Sequence, residues 1–255
     1  MHTSLLSEAT QHASGQQPLL LMLPGMVCSA ASWQPQRLVL EAYVDIAIAD
    51  YPREDHVTVM ARRLLGEHSG PLLLAGHSMG GRVALEMVRL APERVVGLCL
   101  IATESRARPS GDRGIAEDLA RQRLHTMAVE KGMSAMAEAW IPSLLGPLAL
   151  RDASLQTILK KMITGHSPES LAMHINAGKT RPDSYNFLSR ITCPTLLIAG
   201  ELDSIRPPAV LEEMHLAITN SDFLVIKGCG HMPMIEAAEI VNQAMLTWLH
   251  RSLSC

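Results

Sequence analysis

Aromatic residues are scarce in this 255-residue chain: two Phe, three Tyr and three Trp, or 3% of the total. Fifteen methionines outnumber them, and such polarizable, unbranched side chains suit either an adaptable apolar pocket wall or irregular gaps in a core. Cysteines are few as well. Cys28, Cys99, Cys193, Cys229 and Cys255 are odd in number and widely scattered, which excludes a disulfide framework and fits a reduced compartment. Cys229 and His231 make a single Cys-x-His pair with no second pair of ligands, so a zinc site is not expected, and no metal or other cofactor is called for. No Lys or Arg precedes Arg37, and the short apolar stretch from Leu19 to Leu23 is cut by Pro24 and Gly25. Neither a secretory signal nor a membrane span is therefore expected, and the cytoplasm is the expected location. Basic residues are spread through a chain of net charge -3, which gives no footprint for nucleic acid. The expected partner is a small-molecule substrate; the oligomeric state stays open.

What the chain does contain is alternation. At 47% hydrophobic residues, a chain of this length buries about 70 to 75% of its unfolded surface, enough for one core with a small appendage. Continuous apolar runs predict strands at 19–23, 44–49, 71–75, 95–102, 195–199 and 223–226, interleaved with amphipathic helices at 32–40, 57–67, 81–90, 208–218 and 237–251. Uninterrupted apolar strands between helices indicate a parallel sheet covered on both faces. Between Thr103 and Arg190 the pattern turns helical, with segments at 115–129, 133–140, 153–163 and 169–175 separated by glycine and proline.

Three residues fall where this pattern makes them chemically interesting. Gly76-His77-Ser78-Met79-Gly80 joins the third apolar run to its helix, so Ser78 occupies a strand-to-helix elbow. Asp203 follows the run ending at Gly200, and His231 follows the last run and Gly228. Each leaves the carboxyl end of a parallel strand, the edge at which open α/β sheets present ligands. A nucleophile, its base and the acid that orients the base can meet there.

The elbow pentapeptide, the order Ser78, Asp203, His231 and the alternating elements together resemble the alpha/beta-hydrolase family, from about Leu19 to the C-terminus. The resemblance implies an α/β fold with a mostly parallel sheet, helices on both faces and a helical cap insertion. The core is then residues 1–103 and 191–255, and the cap 104–190. Family members often begin with an antiparallel hairpin, which residues 1–17 leave room for only in truncated or frayed form. The cap segment holds 12 Lys/Arg against 9 Asp/Glu, so a basic lid favouring anionic substrates stands beside the plainer reading of a solvated helical face.

The resemblance also distributes roles. Ser78 is the expected nucleophile, His231 its base and Asp203 the acid, with Glu104, directly after a strand, as a rival for that last role. Backbone N–H groups of Met26 and Met79 are the expected oxyanion donors; relatives usually carry His-Gly where this chain has Pro24-Gly25. His77 is expected to orient loop backbone. Met26, Met79, Met232 and Met234 flank these positions, and Trp140 and Tyr185 belong to the cap. Arg181, in Arg-Pro-Asp-Ser, reads as a turn residue or as a contact for a substrate carboxylate. The implied activity is serine-dependent cleavage of a carboxylic ester, lactone or thioester of a small apolar or anionic substrate. Alternatives are hydrolysis of a carbon–carbon bond in a ring-fission diketone, and a non-catalytic small-ligand receptor on the same fold.

Overall fold

The structure is a computed structural model that describes residues 17–254. Six strands, β1 (Leu19–Leu23), β2 (Ile46–Ile48), β3 (Leu72–His77), β4 (Val95–Ile101), β5 (Thr195–Gly200) and β6 (Ser221–Ile226), form one sheet in the order β2-β1-β3-β4-β5-β6. All five pairings are parallel. The inner strands β1, β3, β4 and β5 are apolar at successive positions because both faces are covered, and the pleat divides their side chains between two cores. Leu20, Met22, Leu73, Ala75, Cys99, Ile101, Leu196 and Ile198 face one cluster, together with Trp33 and Trp248. Leu21, Leu23, Leu72, Leu74, Leu98, Leu100, Leu197 and Ala199 face the other.

Helices α1 (Gln34–Leu40) and, near the C-terminus, the single turn α8 (Pro233–Glu236) and α9 (Ala238–Leu253) cover the first face. Helices α2 (Val57–Glu67), α3 (Met79–Leu90) and α7 (Pro208–Ala217) cover the second. The predicted helix at 32–40 begins as a tighter 3-10 turn over Ala30–Trp33, and the predicted strand at 44–49 is regular only at its centre. The hairpin expected to be truncated or frayed falls almost wholly on residues 1–16, outside the described residues.

Strands β4 and β5 are direct neighbours, yet between them the chain makes α4 (Gly111–Trp140), α5 (Ala153–Thr164) and α6 (Pro168–Lys179). The two segments predicted at 115–129 and 133–140 are one run broken at Gly132, whose φ of 84° and ψ of 162° are non-helical. A glycine there turns the chain at little steric cost. Side chains of Asp152 and Ser167 accept backbone N–H bonds at the starts of α5 and α6 and fix where each begins. Leu159, Met162, Ile163 and Trp140 of this insertion join the same apolar cluster as Met22 and Ile198 of the sheet, so its helices pack over the carboxyl edge. Among the described residues no helix is long and apolar enough to cross a membrane.

Candidate active site

Ser78 sits at the elbow with φ of 52° and ψ of -112°. That is a strained backbone for a residue with a side chain, and it persists only where the surroundings over-determine it. Here Ser78 N–H donates to Ile101 O at 2.9 Å, and Thr103 Oγ1 donates to Ser78 O at 2.6 Å. The flanking glycines serve close approach rather than torsional freedom. A Cβ on Gly76 would meet Gly80 O at 2.5 Å, and one on Gly80 would meet Leu23 O at 2.0 Å. With both bare, β1, β3 and α3 close up and Ser78 projects at the sheet's edge.

The loop after β6 carries His231. Its Nε2 accepts from the Ser78 hydroxyl at 3.0 Å, and its Nδ1–H donates to Asp203 Oδ2 at 2.7 Å. Asp203 is buried, and its other oxygen accepts from the N–H groups of Ile205 and Arg206 at 2.8 and 2.9 Å. Burial alone would raise the pKa of this carboxyl. The bond to His231, the imidazole's charge and the two backbone donors outweigh it and hold Asp203 below the usual carboxylate range. Glu104 is engaged elsewhere: its carboxylate pairs with Arg82, with Arg181 at 3.0 Å and with Arg206 at 2.6 Å. Of the two candidate acids, then, Asp203 is the one that lies against the imidazole.

The loop holding His231 is fastened, not slack. Gly228 makes the turn at φ of 68°, whereas Gly230 is there for contact, since a Cβ would strike Gly146 N at 2.7 Å. Glu236 was not singled out by the sequence. Its carboxylate accepts from the N–H groups of Gly146, Gly230 and Met232 at 2.6 to 3.0 Å, tying the His231 loop to the insertion. His231 N–H itself donates to Leu144 O at 2.8 Å. His77, as expected, orients backbone: its Nε2–H donates to His231 O at 2.9 Å. Burial, and next the charge of His231, push His77 down to about 3, so this ring stays neutral.

A cavity opens over Ser78 and is shared between the sheet's edge and the insertion. Met26, Met79 and Met232 line it, with Trp140, Leu159 and Met162, whereas Met234 is a core residue. Tyr185 lies apart from this wall and stacks under Arg106, 3.8 Å from its guanidinium. Met79 is the first residue of α3 and Met26 belongs to the loop after β1, and both line the cavity together with Ser78.

The same cavity is also lined by charged side chains, Arg82, Arg121, Lys179 and Arg206 with Glu117 and Asp118. Arg181 is not among them. It is buried and spends its donors on Glu104, Glu117, Arg106 O and Gly178 O, stapling the end of the insertion. Arg121 makes no hydrogen bond or ion pair among the described residues, its guanidinium lying 6.0 Å from the Trp140 ring. Burial and the neighbouring Arg206 lower Arg121 to about 10, still protonated at neutral pH. The Nε of Arg82 is buried and has no partner among the described residues. Among the described residues no group of three or more His, Cys, Asp or Glu side chains is placed to hold a metal.

Residues 20–244 match the profile described as the alpha/beta hydrolase family. The chain belongs to that family. This hydrolase is 28% identical over 211 residues to pimeloyl-[acyl-carrier protein] methyl ester esterase of Neisseria meningitidis serogroup B, covering 82% of this chain and 80% of that one. It is 25% identical over 243 residues to the protein of the same name from Photobacterium profundum, covering 91% and 94% of the two chains. Among solved structures, a thermophilic esterase from Thermogutta terrifontis with malate bound superposes with a TM-score of 0.79 at 29% identity, over 93% of this hydrolase and 90% of that chain. The enol-lactonase from Burkholderia xenovorans shares the fold with a TM-score of 0.81 at 19% identity, over 94% of each chain.

Proposed function

We propose that this protein is a serine hydrolase that cleaves a carboxylic ester through an acyl-enzyme. The observation that carries the reading is the unbroken hydrogen-bond chain from Ser78 Oγ through His231 to Asp203, at 3.0 and 2.7 Å. A serine hydroxyl is inert at neutral pH until a base takes its proton during attack. In this reading His231 takes it as Ser78 Oγ bonds to the carbonyl carbon, and the same imidazole then protonates the departing alkoxide. Asp203 fixes the tautomer and stabilises the imidazolium. The N–H groups of Met26 and Met79 receive the oxyanion, and a water deprotonated by His231 releases the acid. No cofactor takes part. The esterase names of the relatives and of the structural neighbour at 29% identity favour an ester as the scissile group.

Residues 104–190 act in this proposal as a cap that selects substrates, and Arg121, which borders the cavity and has no hydrogen-bond or ion-pair partner among the described residues, favours a substrate whose far end is a carboxylate. The test follows proton release from methyl hexanoate and monomethyl adipate, neutral and anionic esters of equal acyl length. The intact protein should prefer the adipate about tenfold in kcat/KM, Arg121→Gln should abolish the preference, and Ser78→Ala should reduce both reactions by ~10^4 or more. A Ser78→Ala protein that retains turnover removes the nucleophile and the reading with it. Slow esters beside fast cleavage of an anionic ring-fission diketone would instead select the carbon–carbon hydrolase that the same charged wall also suits.

A further inference from the structure

The loop that follows β1 contains a second strained residue. Val27 is fully buried with φ of 46°, a left-handed conformation that a β-branched side chain disfavours. Strain of this kind costs about 1–3 kcal/mol and needs a neighbour to hold it. The neighbour is distant in sequence. His174, on the insertion's helix α6, accepts the Val27 N–H on Nδ1 at 3.1 Å, while its Nε2–H faces Tyr51 O at 3.3 Å. The imidazole is buried, stands edge-on to the Tyr51 ring with centroids 6.1 Å apart, and borders the cavity over Ser78. Burial pushes His174 down to about 4, so at neutral pH Nδ1 keeps the lone pair that the bond requires.

We infer that His174 is a positioning residue for the oxyanion loop: by gripping Val27 N–H it holds the Met26–Val27 peptide, and through it the neighbouring Gly25–Met26 peptide whose N–H faces the reacting carbonyl. The inference rests on Met26 being an oxyanion donor, as proposed above. It makes the insertion part of the catalytic geometry as well as a filter. A helix that shifts at the entrance moves the donor with it, and a small misplacement of such a group costs orders of magnitude in rate.

Three variants separate the bond from the bulk. His174→Asn sets an amide oxygen near the position of Nδ1 and keeps an acceptor for Val27. His174→Gln reaches instead toward Tyr51 O, and His174→Phe keeps the ring but accepts nothing. Turnover of p-nitrophenyl acetate is measured beside the inhibition constant of a boronic acid that forms a tetrahedral adduct on Ser78, and each variant's folding is checked by its melting temperature. His174→Phe and His174→Gln should lose ~10- to 100-fold in kcat with KM changed less than about threefold, and boronate affinity should fall in step with kcat/KM. His174→Asn should recover most of the loss. The inference is overturned if whichever of Phe and Gln folds keeps kcat within threefold, if only KM rises, or if folded Asn is as impaired as the others. An active Ser78→Ala control would mark failure of the hydrolase reading instead.

Discussion

The two carboxylates that compete on sequence for the acid's role differ in what surrounds them, and that difference makes opposite predictions. Asp203 faces one imidazole and two backbone donors, whereas Glu104 pairs with three guanidinium groups at the base of the insertion. Asp203→Asn leaves the shape intact but lets the amide favour the wrong imidazole tautomer. Ester turnover should fall by ~10^4 with little change in melting temperature. Glu104→Gln leaves Arg82, Arg181 and Arg206 crowded without their shared anion. It should destabilise the fold by at least about 2 kcal/mol while the folded fraction keeps turnover within about threefold. Calorimetry and active-site titration on the same preparations separate the two effects. If Glu104→Gln were the variant that abolishes turnover of folded protein, Glu104 and not Asp203 would be the acid that orients His231.

Among the elements, periodicity is the part of this fold that sequence displays directly. Strands such as Leu72–His77 are buried throughout, and the apolar runs identify them without tertiary information. Ser78 and His231 could be singled out because each follows such a run. What the pattern does not display is why a glycine stands where it does. Gly80 takes no unusual torsion: a Cβ there would lie 2.0 Å from Leu23 O, a contact between β1 and the start of α3 visible only in three dimensions. The Val27–His174 bond spans 147 residues and is equally silent in the chain. The contrast between Gly80 and Gly66 tests this. Gly80→Ala should cost more than about 3 kcal/mol and displace Ser78, because the clash is with backbone that cannot rotate away. Beyond its own stretch of helix, Gly66, in the last turn of α2, has no described atom within 4 Å of where a Cβ would stand, so Gly66→Ala should stabilise by about 0.5–1 kcal/mol. Equal effects of the two substitutions on thermal unfolding would refute the close-approach explanation.

For the whole molecule, burying imidazoles neutral makes stability depend on acid. His77 and His174 have folded values near 3 and 4 against an ordinary 6.5, mainly through burial, and His166 is lowered for the same first reason. Above pH 6.5 these rings are neutral in both folded and unfolded chains, so their contribution does not change. As pH falls below 6.5 the unfolded chain takes up protons that the folded one refuses, and stability drains until the folded values are reached. Carboxylates held low, Asp203 among them, extend the loss below their ordinary 3.8. At pH 4.5 His77 and His174 should each have removed about 2–3 kcal/mol relative to pH 7, enough to move a urea midpoint by a molar unit or more. His174→Asn keeps an acceptor for Val27 but has no proton to gain, so its midpoint should fall less steeply across the same interval. Parallel curves for the two proteins would mean that His174 titrates alike folded and unfolded, contradicting its burial between Val27 and Tyr51.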